Sequence, residues 1–237
     1  MKLHYLVGIA LPLVIFSSTA FGQDVLPDSM KQRVVACIGC HGNEGRAASD
    51  GFYPRIAGKP AGYLLNQLIN FREGRRSFPA MTYMTELQSE AFLKEIADYF
   101  AAQHPPYPAP QSARVTPAIL ERGHVLVMSG DQSGKVPACI ACHGQALTGL
   151  EPAIPGLLGL PQDYLNAQLG AWKSGARHAA APDCMAQIAE RLSAADISAT
   201  VAWLAAQPAP PNPAAALSTT ARLPMACGSM LQSGSDR

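Results

Sequence analysis

Two stretches of this 237-residue chain carry residues whose types and spacing could do chemistry: Cys37-Ile38-Gly39-Cys40-His41 and Cys139-Ile140-Ala141-Cys142-His143. Cys-x-x-Cys-His is the pattern for covalent haem attachment: the two thiols add across the porphyrin vinyl groups, and the adjoining His is placed to bind iron. A zinc ribbon brings its cysteine pairs within about 15–20 residues, whereas Cys40 and Cys139 lie far apart. Neither zinc nor a pair of disulfides explains a His directly after both motifs. The sequence therefore predicts two haem c groups, held by Cys37, Cys40, Cys139 and Cys142, with His41 and His143 as iron ligands.

A six-coordinate haem needs a second axial ligand, and a Met thioether favours the ferrous state. Met81, Met84 and Met185 are the candidates. Met185 precedes Trp203 by 18 residues and Met81 precedes Tyr99 by 18, whereas Met84 precedes it by 15. This selects Met81 and Met185, with Met84 as fallback and as the better candidate for plain core filling. Cys184 and Cys227 remain outside the motifs. An exported chain meets oxidising conditions, so a Cys184–Cys227 disulfide pinning the tail is expected; the rival is a Cys184 thiolate on the second iron. His178 offers a bis-His alternative, but a surface-loop His is the simpler expectation. Arg72-Glu73-Gly74-Arg75-Arg76 reads either as a solvated loop or as a partner for a haem propionate.

The elements that must position these residues occur twice. Pro54 and Gly58 correspond to Pro155 and Gly159, Tyr63 to Tyr164, Gln67-Leu68 to Gln168-Leu169, Phe71 to Trp172, Gly74 to Gly175 and Arg76 to Arg177. Two copies at a period of about one hundred residues are a duplicated domain and not a solenoid. Apolar spacing predicts helices over 28–36, 61–71, 89–103, 117–129, 162–172 and 193–207, with no alternating strand pattern. The fold class expected is all-α.

Residues 1–22 read as a signal peptide, with Lys2, an apolar run from Leu6 to Phe16 and small residues before cleavage near Gly22-Gln23. The expected units are then 23–104 and 117–207, joined by a Pro-rich linker over 105–116 and followed by a Pro/Ala-rich tail over 208–237. Lys and Arg number 18 against 17 Asp and Glu, so loss of Lys2 balances them. That balance speaks against a nucleic-acid partner and against broad membrane-surface binding. No later segment is apolar and long enough for a membrane span.

Both halves resemble class I cytochrome c domains, and their tandem order is similar to the di-haem cytochrome c-four type. The resemblance rests on Cys37-x-x-Cys40-His41-Gly42, Pro54-x-x-x-Gly58, Tyr63-Leu64-x-x-Gln67-Leu68, Met81 and Ile96-Ala97-x-Tyr99, with their second-copy counterparts. It implies that the Pro54 and Pro155 carbonyls accept a hydrogen bond from the proximal imidazoles. It also implies that first and last helices cross, here carrying Val34 and Tyr99. The expected role is a periplasmic single-electron carrier. Its partners would be a cytochrome bc-type complex, a terminal oxidase or a periplasmic dehydrogenase, the alternative role being a cytochrome subunit of such a dehydrogenase complex. An enzymatic rival, a di-haem peroxidase or thiosulfate-oxidising cytochrome, would need an open iron site or a different axial ligand. The Cys184/Cys227 tail and three extra residues between Gly175 and Met185 depart from the family pattern.

Overall fold

The computed structural model describes residues 28–48, 52–217 and 223–232; the expected signal peptide lies outside them. The first half runs through α1 (Met30–Arg33), α2 (Val35–His41), α3 (Ala61–Arg72), α4 (Pro79–Thr85) and α5 (Glu90–Ala101). The second runs through α6 (Pro117–Met128), α7 (Ile140–His143), α8 (Gln162–Lys173), α9 (Cys184–Arg191) and α10 (Ala194–Ala205), and the tail ends in α11 (Gly228–Gln232). Side-chain caps fix several starts: Ser89, Thr116, Asp183 and Ser193 accept from Phe92, Ile119, Ala186 and Asp196 amides, each satisfying a donor the helix leaves open.

The helix expected over 28–36 is instead broken at Val34, where α1 ends and α2 begins. Val34 is fully buried and packs with Leu64, Ala97 and Phe100, so burial of one side chain decides the geometry there. In the second half a loop separates α6 from α7, pinned by the Asp131–Val136 backbone pairing. There the helix crossing closes on backbone: a Cβ at Gly123 would meet the Ala199 carbonyl oxygen at 2.1 Å. The second core is the larger, built from Leu126, Val127, Leu165, Ile197, Val201 and Leu204 among others.

The β structure among the described residues is minor. β1 (Gly149–Leu150) pairs antiparallel with β2 (Ile154–Pro155), and Ala216 of the tail lies beside Leu150. The Pro-rich linker is docked at its start. Arg55 donates to the Pro105 and Pro106 carbonyls at 2.6 and 3.1 Å and lies 3.9 Å from the Tyr107 ring centre. Tyr107 in turn leaves no room for a side chain at Gly159.

Candidate functional site

His41 and His143 each end the short helix that begins around their cysteines, and Gly42 and Gly144 follow at φ of 75° and 82°. A left-handed residue is needed there to turn the chain back; a Cβ on Gly42 would sit 2.4 Å from the Ala47 carbonyl oxygen. The returning loops bring Pro54 and Pro155 under the rings. Nδ1 of His41 lies 2.9 Å from the Pro54 carbonyl oxygen, and Nδ1 of His143 lies 2.7 Å from that of Pro155. With Nδ1–H donated, the tautomer leaves Nε2 bare, and neither Nε2 has a hydrogen-bond partner among the described residues. Both imidazoles are buried, and burial pushes their pKa down, opposed by the proline carbonyls. They are neutral donors at physiological pH.

The cysteines differ between halves. Cys40 is exposed, while Cys37, Cys139 and Cys142 are partly covered. Burial pushes the Cys37 and Cys142 thiols up, and that of Cys139 up to about 12.

Met81 lies in α4 and Met185 in α9, both half-buried. The two helices occupy equivalent places, α4 packed on α3 and α9 on α8. Neither is among the helices the periodicity predicts, because seven or eight residues give barely two turns of signal. Met84, one turn beyond Met81, is 38% exposed; it is a surface residue and not the core filler expected. Cys184 is joined to Cys227 by a disulfide, next to Met185. Asn66 Nδ2 of α3 donates to the Ser229 carbonyl at 3.0 Å, so the tail reaches back onto the first half. His178 is exposed.

Sequence reasoning missed the seam between the halves. Arg76 and Arg177 pair antiparallel through their backbones. Arg76 donates to Gln67 and Gln168 Oε1 at 3.1 and 2.7 Å, and Arg177 donates to the same two oxygens at 2.8 and 2.7 Å. Arg177 is 3% exposed and stacks 3.7 Å from the Trp172 ring centre; Arg76 lies 4.5 Å from that of Phe71. The repeat of Gln, aromatic and Arg in both copies was the available signal. Neither guanidinium has a carboxylate partner among the described residues, and Trp172 Nε1 is a buried donor without an acceptor. A buried guanidinium without a carboxylate, a second beside it and an unpaired indole donor call for an acidic group. Bare Nε2 atoms above paired cysteines call for a metal-bearing one. A haem, with iron and two propionates, fits both.

No family model matches the chain. Over 181 residues it is 37% identical to the thiosulfate dehydrogenase electron acceptor of Thiomonas intermedia, covering 76% of this chain and 82% of that one. Over 174 residues it is 30% identical to cytochrome c4 of Pseudomonas aeruginosa, covering 73% and 84%. The chain belongs to the di-haem cytochrome c4 family. The solved structure of reduced cytochrome c4 from Pseudomonas stutzeri superimposes with a TM-score of 0.65 at 28% identity, over 74% of this chain and 95% of that one. Like other members of the cytochrome c4 family, this protein consists of two tandem class I cytochrome c domains, carries two covalently attached haem c groups, and is an electron carrier and not an enzyme. Its partners are redox proteins, and no helix among the described residues is long and apolar enough to cross a membrane.

Proposed function

We propose that the first haem is attached through Cys37 and Cys40 with His41 and Met81 on its iron, and the second through Cys139 and Cys142 with His143 and Met185. The units are 23–104 and 117–207, with linker 105–116 and tail 208–237, and the chain acts in the periplasm after removal of residues 1–22. The observation that carries the histidine assignment is the pair of Nδ1-to-proline contacts, 2.9 and 2.7 Å, which leave Nε2 bare in each motif; the methionines rest on the equivalent places of α4 and α9. When bound, each haem takes up and releases one electron at its iron. The chain does the rest. Pro54 and Pro155 fix the imidazoles, the thioethers of Met81 and Met185 favour the reduced metal, and Arg76 and Arg177 offer counter-charge at the seam.

The partner we propose is a periplasmic dehydrogenase that oxidises an inorganic sulfur compound such as thiosulfate. Support comes from the relative described as a thiosulfate dehydrogenase electron acceptor, which is more similar to this chain, at 37% identity, than the cytochrome c4 at 30%. Mixing the oxidised protein anaerobically with a thiosulfate dehydrogenase and thiosulfate is expected to reduce both haems catalytically. Reduction no faster than with thiosulfate alone overturns this partner. The second reading is a free shuttle to a cytochrome bc-type complex or terminal oxidase, supported by the likeness to cytochrome c4 chains.

A further inference from the structure

The loop that carries Pro54 in the first domain ends in Gly58-Lys59-Pro60, and Lys59 does not stay in its own half. Its side chain is buried at 8% exposure, and Nζ donates to the Gly156 carbonyl of the second domain at 3.2 Å. Gly156 directly follows Pro155, whose own carbonyl oxygen lies 2.7 Å from His143 Nδ1. The ammonium therefore sits one residue along from the carbonyl that orients the second proximal imidazole.

No carboxylate neutralises it among the described residues. The ionisable groups acting on it are the Tyr164 hydroxyl and the Arg55 guanidinium, the latter of like charge, and burial lowers its pKa from 10.5 to about 8. An unpaired buried ammonium is costly, and packing alone does not demand it. The equivalent position in the second domain is Leu160, a buried member of the apolar core, so the loop closes equally well on a hydrocarbon side chain. Position 156 is suited to receive the lysine. Its counterpart is Arg55, but at Gly156 a Cβ would meet the Thr148 carbonyl oxygen at 2.6 Å, and the absent side chain leaves the carbonyl open to approach.

We propose that Lys59 tunes the second haem from the first domain, as a fixed cation against that haem's proximal wall which raises its reduction potential. The inference rests on the assignment of His143 as an iron ligand. Oxidised haem carries one more positive charge than reduced haem, so a nearby cation penalises the oxidised form more. In a protein interior of effective dielectric about 20, a unit charge roughly 12 Å from a redox centre changes its equilibrium constant about tenfold. The equivalent position in the second domain, Leu160, carries no charge to return the effect; the cation acting on His41 is Arg76 of the first domain itself. Lys59 thus separates the two potentials and biases the electron toward the second domain. The bias holds only while the domains are docked.

The test is an NMR-monitored redox titration of the full two-haem protein, following the shifted haem methyl resonances of each domain separately. Lys59→Met removes the charge at similar length, and Lys59→Gln removes it while keeping a donor for Gly156. Both are expected to lower the equilibrium constant for reducing the second haem about tenfold, equivalent to about 59 mV for one electron, with less than a twofold change at the first. Lys59→Arg is expected to stay within about twofold of wild type. An unmoved second haem in the neutral variants, an equal shift of both haems, or an Arg variant that falls as far as Met would each overturn the role of Lys59. Pyridine haemochrome on the wild type tests the underlying site separately. Fewer than two haems per chain fails that assignment, whereas two haems with an unmoved potential fail only the lysine.

Discussion

The two domains repeat the residues around each haem and differ where they meet each other, the tail and solvent. Positions 55 and 156 follow the same proline, yet Arg55 holds the linker carbonyls while Gly156 receives Lys59. Positions 66 and 167 lie on the same helix face, yet Asn66 is buried beneath Ser229 while Ala167 is exposed. The second domain has the larger core and the disulfide. The first exposes Val35, Phe52, Tyr83 and Leu87, the last 89% open. Haem chemistry fixes the cysteines, the imidazoles and the prolines that hold them, while the residues directly beside these, where one copy meets the other, are free to take different tasks.

The largest effect is expected from removing one attachment site. Cys139→Ala with Cys142→Ala should leave one haem per chain by pyridine haemochrome, and Cys37→Ala with Cys40→Ala should do likewise. Since the second core is the larger, its pair should leave a partly folded domain, visible as retained helix by circular dichroism, while the first should lose more. Equal loss of helix from both breaks the claim that the two cores differ in self-sufficiency.

Next come the distal ligands. Met185→Ala and Met81→Ala should each abolish the Met–Fe(III) absorption band of one haem and leave the other. A fall in that haem's potential on the order of 0.1 V is expected, since axial-ligand choice spans about 0.8 V. If Met81→Ala leaves the spectrum intact and Met84→Ala does not, the equivalence of α4 and α9 fails.

These ligands also show how far the sequence could be read. The two Cys-x-x-Cys-His motifs and the duplicated landmarks make the helical two-domain fold legible, because haem attachment demands fixed residues at fixed spacing. The helices that carry Met81 and Met185 are not legible: each is too short for periodicity to rise above composition. The broken first helix is hidden as well, since Val34 fits a continuous apolar stripe equally well. Lys59 escapes for another reason, and so does the shared seam of Arg76 and Arg177, although the sequence does offer the 72–76 cluster as a propionate partner. A single charged residue in a loop reads as solvated unless the partner surface is known, and here that surface is the other copy.

The tail gives a smaller difference. Its disulfide closes a separation of 43 residues in the second domain, for which chain entropy predicts stabilisation of about 4 kcal/mol. Cys227→Ser should lower the thermal midpoint of the second domain, followed at its own haem, and shift the first domain less, since the bridge closes within the second half while the tail meets the first through contacts such as Asn66 Nδ2 to the Ser229 carbonyl. Equal destabilisation of both would mean that the tail braces the pair and not one member.

The finest contrast is at the helix crossings. In the first domain the Val34 side chain fills the crossing, so Val34→Ala leaves a void among Leu64, Ala97 and Phe100. In the second, Gly123 lets α6 touch α10 backbone to backbone, and Gly123→Ala forces a methyl to 2.1 Å from the Ala199 carbonyl oxygen. Overpacking of this kind costs about 1–3 kcal/mol, relieved only if α6 slides outward. One crossing should therefore suffer from less volume and the other from more, each in its own domain. Urea unfolding followed at each haem separates the two. If Gly123→Ala is neutral, the second crossing has slack, and the domains close on their haems by the same means after all.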